Sequence, residues 1–252
     1  QGIPLRFTEP GFIAHVRELT GREEFGVLGT NTANAVNLLS AVIEDGKSFT
    51  AADLVASDRD RLLAAVYEIA FGDRVESTLT CGRCSQPFDL SFSLRQVIDA
   101  VDEKAARVEW KALGDGAFEG ADGKRFRLPT GRDELALSGL GSDAMQSLLL
   151  KRCAEISDWS EGTDAFEEFL EEVAPLLDLE LVAPCAECRH VHRVQFDVQT
   201  YVLGAIIAER RRLLTEINRL ARAYSWSLDE ILSLRRSDRR QFVELIENEY
   251  VT

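Results

Sequence analysis

Histidine and positive charge are both scarce in this chain. Its three histidines, His15, His190 and His192, stand in contexts that support no Ser/His/Asp arrangement. Lysine and arginine number 29 against 43 acidic residues, a formal charge of −14. That balance argues against broad binding to nucleic acid, which needs basic surface to displace counterions. No apolar run reaches the ~20 residues of a membrane span, and no basic n-region with an apolar h-region opens the chain. Lacking both, the protein is expected in the cytoplasm of the producing cell; Gln1 rather than Met stands first, so a processed or trimmed start is expected. Gly26-Val27-Leu28-Gly29-Thr30 and Gly139-Leu140-Gly141-Ser142 lack the rest of a phosphate-binding loop and read as turns. The cluster Glu167, Glu168, Glu171, Glu172 recurs at helical spacing on a solvated face, which is not an acid/base pair. Catalytic constellations are absent, and no small-molecule substrate is expected.

What is present suits a globular protein. At 252 residues, 45% hydrophobic and 29% charged, the chain has enough length to bury a sizeable core. Its charge is uneven. Glu209 to Arg240 carries nine arginines against five acids, a local +4 that leaves −18 elsewhere. An acidic body with a basic C-terminal segment suits docking on an acidic protein surface or on its own body. A solvated arginine-rich helix face is the plainer alternative.

Four of the five cysteines form two CxxC pairs, Cys81-Gly82-Arg83-Cys84 and Cys185-Ala186-Glu187-Cys188. With the pairs superposed at an offset of 104 residues, Asp60–Ile98 lies over Asp164–Val202 without a gap. Leu62 falls on Phe166, Val66 on Leu170, Ile69 on Val173, Val75 on Leu179, Phe92 on Phe196 and Leu94 on Val198. Each copy reads as helix, strand, knuckle, strand, the pattern of an internal duplication. The remaining Cys153, in an apolar helical stretch, is expected to be a buried thiol behaving as a small hydrophobe.

The expected fold is α+β and helix-rich, with two zinc-ribbon-like β knuckles and a helical C-terminal tail. Residues 1–48 hold an extended arm, free to pack on the body or on a neighbouring subunit, and a helix over Asn31–Ile43. Repeat one occupies 49–104, its helix capped by Thr50 or Ser57 and ended by Gly72. An insert over 105–140 contains short strands near Val108–Trp110, Ala117–Glu119 and Lys124–Leu128, with Asp122-Gly123 as a tight turn. Thr130 and Asp133 open a helical stretch. Repeat two occupies 141–198, with an acidic helix over Asp164–Leu177. Residues 199–252 form a long helix to about Tyr224, a helix capped by Ser227 and Glu230, and a last helix capped by Ser237.

A CxxC turn offers two thiolates, so two knuckles together offer the four vertices of a structural zinc site, Cys81, Cys84, Cys185 and Cys188. The 100-residue separation of Cys84 from Cys185 is far longer than the ~15–20 residues usual between ribbon knuckles, although the matching flanks compensate. Three alternatives stay open. Cys185 and Cys188 with His190 and His192 make a two-cysteine, two-histidine set, the knuckles are metal-free, or a pair is a redox dithiol. The last fits poorly, because a strand-like alternation follows each pair rather than a helix N-terminus.

Taken together, Thr80–Cys84, Phe126–Asp133, Pro184–Cys188 and the segment Leu220–Leu234, with Tyr224-Ser225-Trp226-Ser227-Leu228-Asp229-Glu230-Ile231-Leu232, resemble the T-even-phage baseplate protein family. The resemblance covers roughly residues 50–250. It implies a non-enzymatic part in building the baseplate or hub of a contractile phage tail or phage-like injection system, with other tail proteins as partners. An adaptor or chaperone that leaves before the particle matures is the alternative. Tyr224 and Trp226, with Arg235, Arg236, Arg239 and Arg240, are the candidate partner-binding residues; packing of the last helices against each other is the competing role for the two aromatics.

Overall fold

In the computed structural model, which describes residues 1–44, 48–114, 116–121, 123–154 and 163–249, the N-terminal arm lies on its own body. β1 (Gly2–Pro4) pairs antiparallel with β2 (Ile13–His15), and Leu5, Phe7, Ala14, Val16 and Leu19 are buried. A capping box of Thr20 and Glu23 opens α1 (Gly21–Gly26), a short helix inside the segment expected to be extended. α2 (Thr32–Val42) is the expected helix, capped by the Asn31 side chain and buried along Ala35, Val36, Leu39 and Val42.

Thr50 and Asp53 box a single 3-10 turn over Ala51–Asp53, after which α3 (Ala56–Phe71) runs to Gly72 at φ +91°. Ser57 is therefore not a cap. The helix starts two residues earlier than a Ser57 cap would place it, with Val55 in the cap position and the Ala56 amide donating to Pro129 O at 3.1 Å. The residues Ser57-Asp58-Arg59-Asp60-Arg61 are all buried, where a polar helix start is ordinarily solvated. Asp58 accepts from the amides of Arg6, Phe7 and Thr8 and from the Thr8 hydroxyl, at 2.8–3.0 Å. Asp60 accepts from the Leu177 amide at 2.9 Å, and Arg59 pairs with Glu134 at 2.9 Å.

Next come β3 (Arg74–Thr80), β4 (Pro87–Ser93) and α4 (Leu94–Ala105), the last an element not anticipated. Its Ser93 cap accepts from the Gln96 amide, and Asp102 on it pairs with Arg61. β5 (Trp110–Ala112), β6 (Ala117–Gly120) and β7 (Arg125–Arg127) form the expected antiparallel insert; Asp122 of the expected turn lies outside the described residues. Thr130 and Asp133 box α5 (Gly131–Ala136). Burial opposes ionisation of Asp133, yet the Arg127 guanidinium and Thr130 bring its carboxyl down to about 2.

α6 (Ser142–Ala154) and α7 (Thr163–Val173) precede β8 (Asp178–Pro184), β9 (Val191–Asp197) and α8 (Val198–Ala208). The expected long helix breaks at Glu209, so α9 (Arg210–Tyr224) is a separate element. Ser225, at φ +56°, ends it. α10 (Leu228–Ser233) has the expected Ser227/Glu230 box. α11 (Arg236–Glu249) starts before Ser237, which instead donates from its amide and hydroxyl to Glu18. The fold is α+β, with small antiparallel sheets. No described helix is long and apolar enough to cross a membrane.

One core joins the arm, α2, α3 and α8 through Leu39, Leu62, Leu63, Val202 and Leu203. A second lies between the insert and α7, where Phe7, Phe118, Phe126, Phe166 and Cys153 meet. Burial pushes the Cys153 thiol up to about 11, as befits a packed, unreactive side chain.

The two α3 aspartates predict opposite outcomes. Asp58→Ala strands three amides and should cost about 3 kcal/mol in urea unfolding, since each unpaired buried group costs roughly 1–3 kcal/mol. Burial, opposed by Arg59, pushes the Asp60 carboxyl up to about 6. A carboxyl whose pKa is higher folded than unfolded favours the folded state only while protonated, so this contribution falls as pH rises from about 4 to about 6. Asp60→Asn, which keeps an acceptor for Leu177, should be neutral or stabilising at pH 7.5 and should remove that slope relative to the parent.

Candidate metal centre

The two ribbons have the same register. In the first, Val75 faces Phe92 and Leu79 faces Phe88; in the second, Leu179 faces Phe196 and Ala183 faces His192. Every pair shifts by the same 104 residues. The knuckles match bond for bond as well. The Cys81 amide donates to Gln86 O at 2.9 Å and the Ser85 amide to Cys81 O at 2.9 Å; the Cys185 amide donates to His190 O at 2.8 Å and the Arg189 amide to Cys185 O at 3.0 Å. Ser85 and Arg189 hold the same left-handed conformation, at φ +60° and +58°. The helix after each ribbon is capped alike, by Ser93 and by Asp197.

Equivalent residues meet where the ribbons face each other. Phe92 packs edge-on against Phe196 at 5.0 Å, and Phe88 stacks on His192 at 4.8 Å. Contact between a residue and its own counterpart is what a local twofold axis produces. The cysteines obey the same exchange. Cys81 Sγ lies 3.6 Å from Cys188 Sγ, and Cys84 Sγ lies 3.8 Å from Cys185 Sγ. All four sulfurs lie within 4.8 Å of one another.

These distances are far too long for disulfides, whose sulfurs sit ~2.05 Å apart. They agree with the edge of a tetrahedron: metal–sulfur bonds of ~2.3 Å at the tetrahedral angle separate sulfurs by ~3.8 Å. The four cysteines can thus hold one metal ion, with Cys81 and Cys185 buried and Cys84 and Cys188 half-buried. Without a cation the sulfurs cannot all ionise. Burial opposes a Cys81 thiolate, but the amides of Cys84 and Arg83 and the His192 ring outweigh it and bring that thiol down to about 5. The Gln86 amide favours a Cys84 thiolate, yet burial and the neighbouring sulfurs push it up to about 12.

The sulfur grouping is the four-cysteine one; His190 and His192 are not in it. His192 has a different position, with Nε2 3.2 Å from Cys81 Sγ and its ring between Phe88 and His190. That contact, from a ring nitrogen to one ligand sulfur, was hidden in the sequence because position 192 corresponds to Phe88, a packing residue.

The C-terminal candidates separate into two groups. Arg236 and Arg239 are 4% and 1% exposed, so their assignment to a partner surface is corrected: both are held inside. Both pair with Glu24; Arg236 also reaches Glu209 and Arg239 reaches Glu216, each at 2.7 Å. Arg240 joins Glu209 at 3.0 Å, while Arg235 is exposed. Tyr224 and Trp226 stack at 4.8 Å, half-buried, with Phe242 edge-on to Trp226 at 5.1 Å. They belong to the packing among α9, α10 and α11.

Compared with family models, curated proteins and solved structures, the chain matches none.

His192→Phe keeps the stacking and removes the ring nitrogen. Outer-shell donors to metal ligands are worth roughly 10–100-fold in affinity. Competition against a chromophoric chelator should show a loss in that range, with little change in the metal-free melting temperature.

Proposed function

We propose that the protein is a non-enzymatic structural or assembly component of a contractile tail-like machine, a phage or injection-system baseplate or hub, stapled by one structural zinc ion. The observation that carries the zinc is the closure of the sulfur cluster. Two knuckles about 100 residues apart bring four sulfurs within 4.8 Å of one another, with the cross-knuckle pairs at 3.6 and 3.8 Å, and four cysteine ligands leave zinc no open position for substrate or water. Four thiolates suit zinc among the common divalent ions. An internal duplication is the economical origin of two ribbons with one register, since it would place two half-sites across a twofold axis in a single step.

The energetics favour a staple over a catalyst. A two-stranded ribbon is marginal by itself, and here each ribbon is tied to its counterpart by few aromatic contacts. Binding a metal at such a junction contributes folding free energy directly. The tail-machine part of the proposal draws on the motifs around Cys81, Cys185 and Phe126–Asp133 and on the segment Leu220–Leu234.

Elemental analysis of protein purified under reducing conditions should return one zinc per chain. A value near zero with an intact fold would sink the shared site. Cys81→Ser and Cys185→Ser should each lower the melting temperature by about 10 °C, to the same extent, because each opens the same cluster; a loss of ~3–4 kcal/mol shifts a protein of this size by about that much. Mass spectrometry of purified mature tail particles separates a resident component from an escort that leaves, and finding the chain in neither particles nor their precursors overturns the tail-machine role.

A further inference from the structure

The acidic face of α7 borders two apolar hollows. Between α6 and α7 lies a groove of about 650 Å³ with Met145, Leu149, Leu170 and Ala174 among its walls and Ser57 in its lining. On the other side a hollow of about 580 Å³ runs toward α4, and Leu176, 45% exposed, belongs to both. Glu167, Glu171 and Asp178 rim the first, and Glu168, Glu171 and Glu172 the second. Lys104 is the one cation among the described lining residues of either hollow. Glu168, Glu171 and Glu172 form no ion pair among the described residues. Ser57 is 2% exposed, and its hydroxyl has no hydrogen-bond partner among the described residues.

We propose that this face is a docking site for a basic amphipathic helix of a partner protein. The apolar row of such a helix, spaced i, i+3, i+4, i+7, fills the groove, and its flanking lysines or arginines meet the carboxylates. A second copy of this chain fits the face poorly. Arg236, Arg239 and Arg240 are paired within the chain, and α9, which carries the exposed Arg211 and Arg222, shows one large apolar side chain outward, Leu214 at 50% exposure. The inference stands apart from the zinc and from the tail machine, since neither the sulfur cluster nor the C-terminal helices contribute to the groove.

Fluorescence anisotropy with two designed helical peptides, alike in their leucine row but flanked by arginine in one and by glutamate in the other, tests it. The arginine peptide should bind at least tenfold more tightly, and raising salt from about 50 to about 300 mM should weaken it severalfold. Glu167→Lys with Glu171→Lys, whose side chains lie on the rim, should remove that preference while leaving the melting temperature within a few degrees. In a separate protein, Leu149→Gln should weaken binding of both peptides. Equal binding of the two peptides, or binding indifferent to the rim and groove substitutions, overturns the proposal. So does concentration-dependent self-association abolished by the rim substitutions, which would make a second copy the occupant.

Discussion

The rest of the structure depends on the burial of a polar helix start. Asp58, Arg59, Asp60 and Arg61 sit inside, and buried charges are tolerated only where partners satisfy them. Each partner comes from a different part of the chain: the arm amides for Asp58, Glu134 of α5 for Arg59, the Leu177 amide for Asp60, and Asp102 of α4 for Arg61. α3 can therefore be buried only when all four segments are in place, and a partly assembled set would be worse than none. Leu177 stands directly before β8, and α3 itself leads through Gly72 into β3. The same helix thus sets the position of both ribbons, and with them the distance between the two knuckles.

That positioning explains how a cluster of four sulfurs arises from a pair of half-sites so far apart in sequence. No strand pairing joins the ribbons; each is a separate two-stranded sheet. Their junction includes Phe92 on Phe196, Phe88 on His192, the buried Ala183 and the sulfurs. The junction is not fully symmetric, because His192 replaces the phenyl ring of its counterpart and reaches Cys81. Four thiolates around one divalent cation would carry net negative charge, and the His192 ring, in the tautomer that donates from Nε2, would offset part of it at Cys81. The stacking pair keeps that ring in place.

Elements whose signal is local were legible in the sequence. The knuckles, the alternation from Phe88 to Phe92, the caps at Thr130 and Ser227, and the burial of Cys153 all follow from residues a few positions apart. α4 was missed because Leu94, its first residue, also completes the strand alternation. At Glu209 the chain passes from the uncharged, apolar α8 to the arginine-rich α9, and its carboxylate there meets the distant Arg236 and Arg240, which no local pattern discloses. Buried charge was the least legible feature. A run such as Asp58-Arg59-Asp60-Arg61 reads as solvated, and so do the arginines of the tail. The partner that internalises Arg236 lies 212 residues earlier, at Glu24.

The charge asymmetry therefore changes meaning once partners are known. A basic tail on an acidic body suited docking on a partner or on its own body, and Arg236, Arg239 and Arg240 follow the second course, paired with Glu24, Glu209 and Glu216 so that they tie α11 to α1 and α9. Arginine suits that role, because its planar fork satisfies two carboxylates at once. The acids of α7 have no such internal counterpart among the described residues, and they border apolar surface. In a protein of net charge −14, like-charged neighbours repel, so acids are kept together beside a groove at a cost in stability. An incoming basic segment removes that cost and covers the apolar walls in one event, whereas the C-terminal helices, already paired, gain nothing comparable from a partner.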